Sequence, residues 1–264
     1  ALTVFAIVRA PEQGWGSAAT LGALAGGVVL LGIFLVIQRS RRVPLVRLGI
    51  FRTPNLGAAN LAQLLLGAAW IPMWYFLNLY LQQVLGYGAF AGGAALLPMT
   101  LLIVILMVGV APRLIARFGS KALIVAGLWA LAAGLVWLSF VRPTGSFVVD
   151  VLPASLVAAL GQALAFIPSL GMAISSAKPE EGGLASGIVN TAYQIGSALG
   201  LAAMTAVGLS FGAGELGDAA ALTDGFSAAF LGAAAIAVAG GFLGLATIRT
   251  ARAESAPKQE VTSL

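Results

Sequence analysis

The sequence predicts an all-α protein that crosses a membrane repeatedly, on three observations. Apolar types make up 60% of the 264 residues and charged types only 9%, whereas a soluble domain runs about 45–50% apolar and about 25% charged. The apolar residues gather into runs of about 20, the length that spans a hydrocarbon core as a helix. The few charges fall between those runs. Backbone polar groups inside lipid must be bonded within their own segment, so the spanning runs are helices rather than open sheet.

Seven runs qualify in chain order: residues 17–38, 56–80, 91–112, 122–141, 151–175, 186–209 and 226–248, each free of Asp, Glu, Lys and Arg. Leu2–Val8 is apolar but too short to span, and it stops at Arg9. It reads as the end of an eighth helix begun upstream, so the chain is expected to be a C-terminal fragment. Residues 1–55 hold that helix end, one further helix and a basic linker. Residues 56–248 form a block of six spans with short loops, and 249–264 a polar tail. The acidic, Gly-rich stretch Gly212–Gly225 is expected to be the longest outer loop.

Charge orients the block. Arg39, Arg41, Arg42, Arg47, Arg52, Arg113, Arg117, Lys121, Lys178, Arg249, Arg252 and Lys258 fall on one side, and only Arg9 and Arg142 on the other. The positive-inside rule makes the first side cytoplasmic. The net charge of +5 is therefore a topology signal, with the lipid bilayer and not nucleic acid as its partner. The absence of His and Cys excludes a Zn site, a thiol nucleophile, an imidazole base and a disulfide framework. With no titratable group in any span, neither an enzyme nor a cofactor is expected.

Polar residues inside spans mark the face turned away from lipid. At 100° per residue, Asn60, Gln63, Gly67, Trp70, Trp74 and Asn78 share one narrow sector of the second span. Leu65, Ala69, Pro72, Phe76 and Leu79 lie opposite, which suits lipid. Pro72 is expected to kink this helix, and Pro168 can break the fifth. Ser155, Gln162, Phe166 and Ser169 align on the fifth span, and Asn190, Gln194 and Ser197 on the sixth. Amides alternating with Trp and Phe suit an amphipathic, cation-tolerant ligand held by stacking and cation–π contact. Hydrogen bonding between helices is the other reading of the same faces. Gly196 and Gly200 on the sixth span, and Gly240 and Gly244 on the last, have the spacing that lets helices approach closely.

Two stretches carry a more particular pattern. Pro112-Arg-Leu-Ile-Ala-Arg-Phe-Gly-Ser-Lys-Ala-Leu-Ile124 resembles the G-x-L-a-D-R-x-G-R-K-x-x-L loop signature of the major facilitator superfamily. Leu114, Arg117, Gly119, Lys121 and Ile124 fall on it. Pro112 replaces the first Gly, Ser120 a basic residue and Ala116 the Asp, which removes the carboxylate a gating salt bridge would need. Gly183-Leu-Ala-Ser-Gly-Ile-Val-Asn-Thr-Ala-Tyr-Gln-Ile-Gly-Ser-Ala-Leu-Gly200 is similar to the eleventh-helix segment of the 14-helix drug:proton antiporter subfamily (EmrB/QacA type). Tyr193 stands where that group often has Arg. Gly14-Trp-Gly-Ser17 and Pro44–Arg52 fit the same subfamily.

The resemblance implies the C-terminal portion of such a transporter, including the second six-helix bundle, in a bacterial inner membrane. It implies alternating access, with export of a lipophilic, often cationic small molecule. Proton coupling would run through carboxylates in the missing N-terminal half. The substrate wall expected on this chain is Asn60, Gln63, Trp70, Trp74, Asn78, Gln162, Phe166, Asn190 and Gln194. An importer or uniporter of another solute, and a non-transporting membrane scaffold, are the rival readings.

Overall fold

A computed structural model describes residues 17–40, 53 and 55–249. The expected end of an eighth helix, most of the basic linker and the polar tail lie outside the described residues. So do most of Gly14–Ser17 and all of Pro44–Arg52.

The elements in order are α1 (Ala18–Ser40), α2 (Leu56–Leu79), α3 (Ala89–Ala95), α4 (Leu97–Ile105), α5 (Ala111–Leu138), α6 (Leu152–Ser176), α7 (Gly182–Ser210) and α8 (Ala219–Thr247). Single π-helical turns at Tyr80–Val84, Leu106–Val110 and Phe147–Val151 extend α2, join α4 to α5 and lead into α6. Among the described residues five segments can by length and composition cross a membrane: Leu56–Val84, Ala89–Leu138, Phe147–Ser176, Pro179–Ser210 and Ala219–Thr247. The expected span 91–112 and all but the last three residues of 122–141 fall within the 50 residues of Ala89–Leu138. Such a rod would be about 75 Å long at 1.5 Å per residue, well beyond a hydrocarbon core of about 30 Å. It is interrupted at Gly119, whose φ of 77° and ψ of 158° lie in a region that essentially only Gly occupies. The expected loop Pro112–Ile124 is thus helix on both sides of a one-residue break.

Two seams of small residues hold the bundle. Gly127, Gly134 and Gly161 bring α5 against α6; a Cβ added at Gly127 would stand 2.6 Å from the Ala165 backbone nitrogen. Gly67, Gly196 and Gly200 bring α2 against α7. A Cβ at Gly196 would collide with the Leu64 carbonyl, and one at Gly200 with that of Ala68. Lipid tails are as apolar as the side chains, so close dispersion contact and interhelical hydrogen bonds take the place of a water-driven hydrophobic term here. The third wall of α2 is α8, where Phe76 meets Phe226 at 5.7 Å between ring centroids. Gly240 is buried against Leu65 and Leu128, and Gly244 against Val125.

Three expectations need correction. The face of α2 assigned to lipid is mostly interior: Ala69 is 0% and Phe76 2% exposed, and Pro72 is buried, because α8 packs on that side. α2 continues as helix through Pro72 to Leu79. Pro168 does not break α6. The helix continues although Pro168 removes the N–H that would bond Leu164 O; the Ser169 hydroxyl bonds next to it, to Ala165 O at 2.6 Å. Finally, α8 begins at Ala219, well ahead of the expected 226. Asp218 caps it, accepting from the backbone N–H groups of Ala220 and Ala221. Much of the Gly212–Gly225 stretch is therefore helix.

The bundle has a basic and an acidic end. The start of α2, the break at Gly119 and the ends of α6 and α8 converge around one cavity, so Lys121 and Arg249 share that end. At the opposite end Arg142 is clipped to Asp150 through Nε at 2.9 Å and Nη2 at 3.2 Å. Asp150 also accepts the Ser146 N–H, and the Tyr80 hydroxyl donates to Arg142 O at 2.7 Å. This clip fixes the α5–α6 connection to the end of α2.

Candidate functional site

The three helices α2, α6 and α7 meet around a set of amides. Gln63, 1% exposed, donates from Nε2 to Phe166 O at 3.0 Å and to Ser169 Oγ at 2.9 Å. It bolts α2 to α6, as interhelical hydrogen bonding would have it. Its Oε1 has no hydrogen-bond partner, and neither has Oε1 of the buried Gln162 nor Oδ1 of Asn60. Asn60 donates only to Leu56 O within its own helix.

Aromatic groups stand beside these oxygens. Phe166 meets Tyr193 edge to face, with centroids 5.4 Å apart and planes at 89°. Gln162 adjoins the Tyr193 hydroxyl. Tyr193 also lies over Gly67, where a side chain would strike the Tyr193 backbone. Further along α2, Trp70 and Trp74 tilt against each other at 6.3 Å. Asn78 accepts a short hydrogen bond from Gln82 in the following π-helical turn.

The nine expected wall residues therefore divide. Gln63, Gln162 and Trp70 are buried, and Asn60, Trp74, Asn78 and Phe166 half-buried. Asn190 and Gln194 are exposed along α7, with Asn190 donating to Ser186 O of its own helix. Sequence reasoning passed over two members. Tyr193 was noted only for the Arg it replaces, although it lies 60° from Asn190 on the helix wheel, next to Ser197. Gln82 stood beyond the expected end of its span.

The loop-motif residues sit at the basic end. Arg117 is exposed with its guanidinium 5.2 Å from the Phe118 ring centroid, and Leu114 is half-buried. Lys121 donates from Nζ to Leu245 O at 2.8 Å, tying the break at Gly119 to the end of α8. Among the described residues no group of three or more acidic side chains could hold a metal.

An amide-and-aromatic set inside apolar helices can bind and orient a ligand but offers no acid, base or nucleophile. The sequence matches the Major Facilitator Superfamily over residues 2–201 and again over 113–263. The chain belongs to the major facilitator superfamily. Among similar proteins, a cephamycin export protein of Amycolatopsis lactamdurans is 34% identical over 239 residues, 90% of this chain and 49% of that protein. A puromycin resistance protein of Streptomyces alboniger is 32% identical over 217 residues, 81% of this chain and 43% of its own. A tetracenomycin C resistance and export protein of Streptomyces glaucescens is 30% identical over 201 residues, covering 76% and 37%. The chain thus spans about half the length or less of these curated relatives. Membership in the major facilitator superfamily makes it a multi-pass membrane protein.

Proposed function

We propose that this chain supplies the C-terminal portion of a drug exporter of the 14-helix drug:proton antiporter type in a bacterial inner membrane. In this reading residues 56–248 are the second six-helix bundle, with Ala89–Leu138 crossing twice about Gly119. Residues 1–55 are an additional helix pair and linker, and 249–264 a cytoplasmic tail. Alternating access exposes a midplane site to each side in turn. Proton entry, through carboxylates upstream of Ala1, drives efflux.

The carrying observation is the trio of unbonded amide oxygens, Asn60 Oδ1, Gln63 Oε1 and Gln162 Oε1, two of which belong to amides that touch Phe166 and Tyr193. A buried acceptor left unbonded costs about 1–3 kcal/mol, and a ligand bringing N–H or O–H groups recovers that. The aromatic edges and faces take its apolar body and tolerate positive charge. Lipophilic amines satisfy both demands. The export and resistance proteins to which the chain is similar support the same reading.

The test is proton-driven efflux of a fluorescent lipophilic cation by the complete gene product in inverted vesicles. Efflux should fall sharply for Trp74→Ala combined with Asn78→Ala. Unchanged efflux in that double variant would remove both residues from the wall. Efflux indifferent to the proton gradient would remove the antiport mechanism.

A further inference from the structure

Two cations without a described carboxylate partner share a cavity outside the amide site. A cavity of about 710 Å³ opens at the basic end between the starts of α2 and of the post-Gly119 helix and the ends of α6 and α8. Lys121 and Arg249 stand in its wall, and no described carboxylate lines it. The Lys121 ammonium and the Arg249 backbone are each anchored. Lys121 spends one of its three N–H groups on Leu245 O. The backbone of Arg249 is clamped by Asn55, whose Oδ1 accepts its N–H at 2.8 Å and whose Nδ2 donates to its carbonyl at 2.9 Å. Among the described residues no carboxylate pairs with either the ammonium or the guanidinium.

The rest of the lining is of two kinds. Ser175 and Ser176 line it too, but both hydroxyls already donate to Met172 O, while Val125 and Met172 continue the cavity as hydrocarbon toward the membrane interior. A soluble anion would use the cations and leave the apolar wall exposed. A phosphate joined to acyl chains uses both. Basic pockets between transmembrane helices on the cytoplasmic side are where anionic headgroups dock. We infer that this cavity is a binding site for the headgroup of an anionic phospholipid from the leaflet bordering the basic end. The phosphate pairs with Lys121 and Arg249, and the glycerol and first methylenes lie along Val125 and Met172. Occupancy braces the Gly119 break against the ends of α6 and α8, so the lipid acts on the bundle as a structural ligand.

The experiment uses the natural gene product that contains these residues, purified in a neutral detergent. Short-chain phosphatidylglycerol and phosphatidylcholine are titrated in turn, with bound lipid read by native mass spectrometry and stability by thermal unfolding. Phosphatidylglycerol should bind and raise the unfolding temperature, and phosphatidylcholine should do neither. Arg249→Gln, whose altered side chain leaves the Asn55 backbone clamp intact, should weaken phosphatidylglycerol about fivefold, the scale of one cation near an anionic surface. Adding Lys121→Gln should weaken it further, and Lys121→Arg should restore it. Lys178→Gln, a cation outside the cavity, should change nothing. The inference is overturned if Lys178→Gln weakens binding as much as Arg249→Gln, because the attraction is then diffuse. Competition by inorganic phosphate overturns it in favour of a free anion. A rise in affinity on deleting residues 253–264 would hand the cavity to the acidic tail.

Discussion

Gln63→Leu separates a structural role from a ligand-binding one at the centre of α2. The substitution removes two donated hydrogen bonds, to Phe166 O and Ser169 Oγ. Hydrogen bonds between membrane helices are worth about 0.6 kcal/mol on average, so the loss is about 1.2 kcal/mol. Neither partner is orphaned. Phe166 O keeps its place in the backbone ladder of α6, and the Ser169 hydroxyl still donates to Ala165 O. The change also removes the unbonded Oε1, a gain of about 1 kcal/mol or more. The sum is near zero, so thermal unfolding of the purified variant should match the parent within about 1 kcal/mol. If the oxygen receives a donor from the transported molecule, losing that bond should cut efflux about tenfold, the equivalent of about 1.4 kcal/mol. Inverted-vesicle efflux normalised to folded protein, beside fluorescence-detected unfolding, reads both quantities. Strong destabilisation with normal efflux per folded molecule would refute the reasoning and leave Gln63 a bolt between helices.

Three other outcomes follow from the geometry. Gly119→Ala should cost about 1–3 kcal/mol from backbone strain, although a Cβ there meets nothing within 4 Å; thermal unfolding of Gly119→Ala beside Gly109→Ala, another open site, isolates the φ effect. Gly196→Val should abolish a monodisperse peak in size-exclusion chromatography, because the obstacle is the Leu64 backbone, whereas Gly240→Ala meets only side chains, the nearest at 3.3 Å, and should pass. Asp150→Ala should lower the unfolding temperature more than Arg142→Ala, since the carboxylate also accepts the Ser146 N–H; equal drops would mean the ion pair alone matters.

What sequence revealed and what it hid divide along physical lines. Apolar run length and charge spacing located the helices, because lipid permits no unbonded backbone. The break at Gly119 was legible since a lone Gly between basic residues is the residue a sharp turn requires. The inner faces were less so. A helix wheel separates polar from apolar residues, but in lipid both sides of α2 can be interior. Phe76 and Ala69 are as apolar as any lipid-facing residue and are nonetheless covered by α8. Pro168 misled for a related reason: the groups bonded around it are the Ser169 hydroxyl, on the next residue, and the Gln63 amide, on another helix. The start of α8 was hidden by Asp224, a charge that sits one and a half turns inside a helix whose cap is another Asp. At the candidate site, the amides were found and their pairing was not. Which of them bolts and which stays unbonded depends on the depth at which α6 meets α2.

The Asn55–Arg249 clamp joins residues 194 positions apart, and it bears on the order of events during synthesis. At about 5–20 residues per second, roughly 10–40 s separate the emergence of α2 from that of the end of α8. Through that interval the side of α2 carrying Ala69 and Phe76 has no α8 to cover it. A chaperone, an insertase or plain lipid must shield it until the last helix arrives. Slowing translation within α8 should therefore lengthen the period in which α2 is open to proteases, a vulnerability written by topology and not by any single residue.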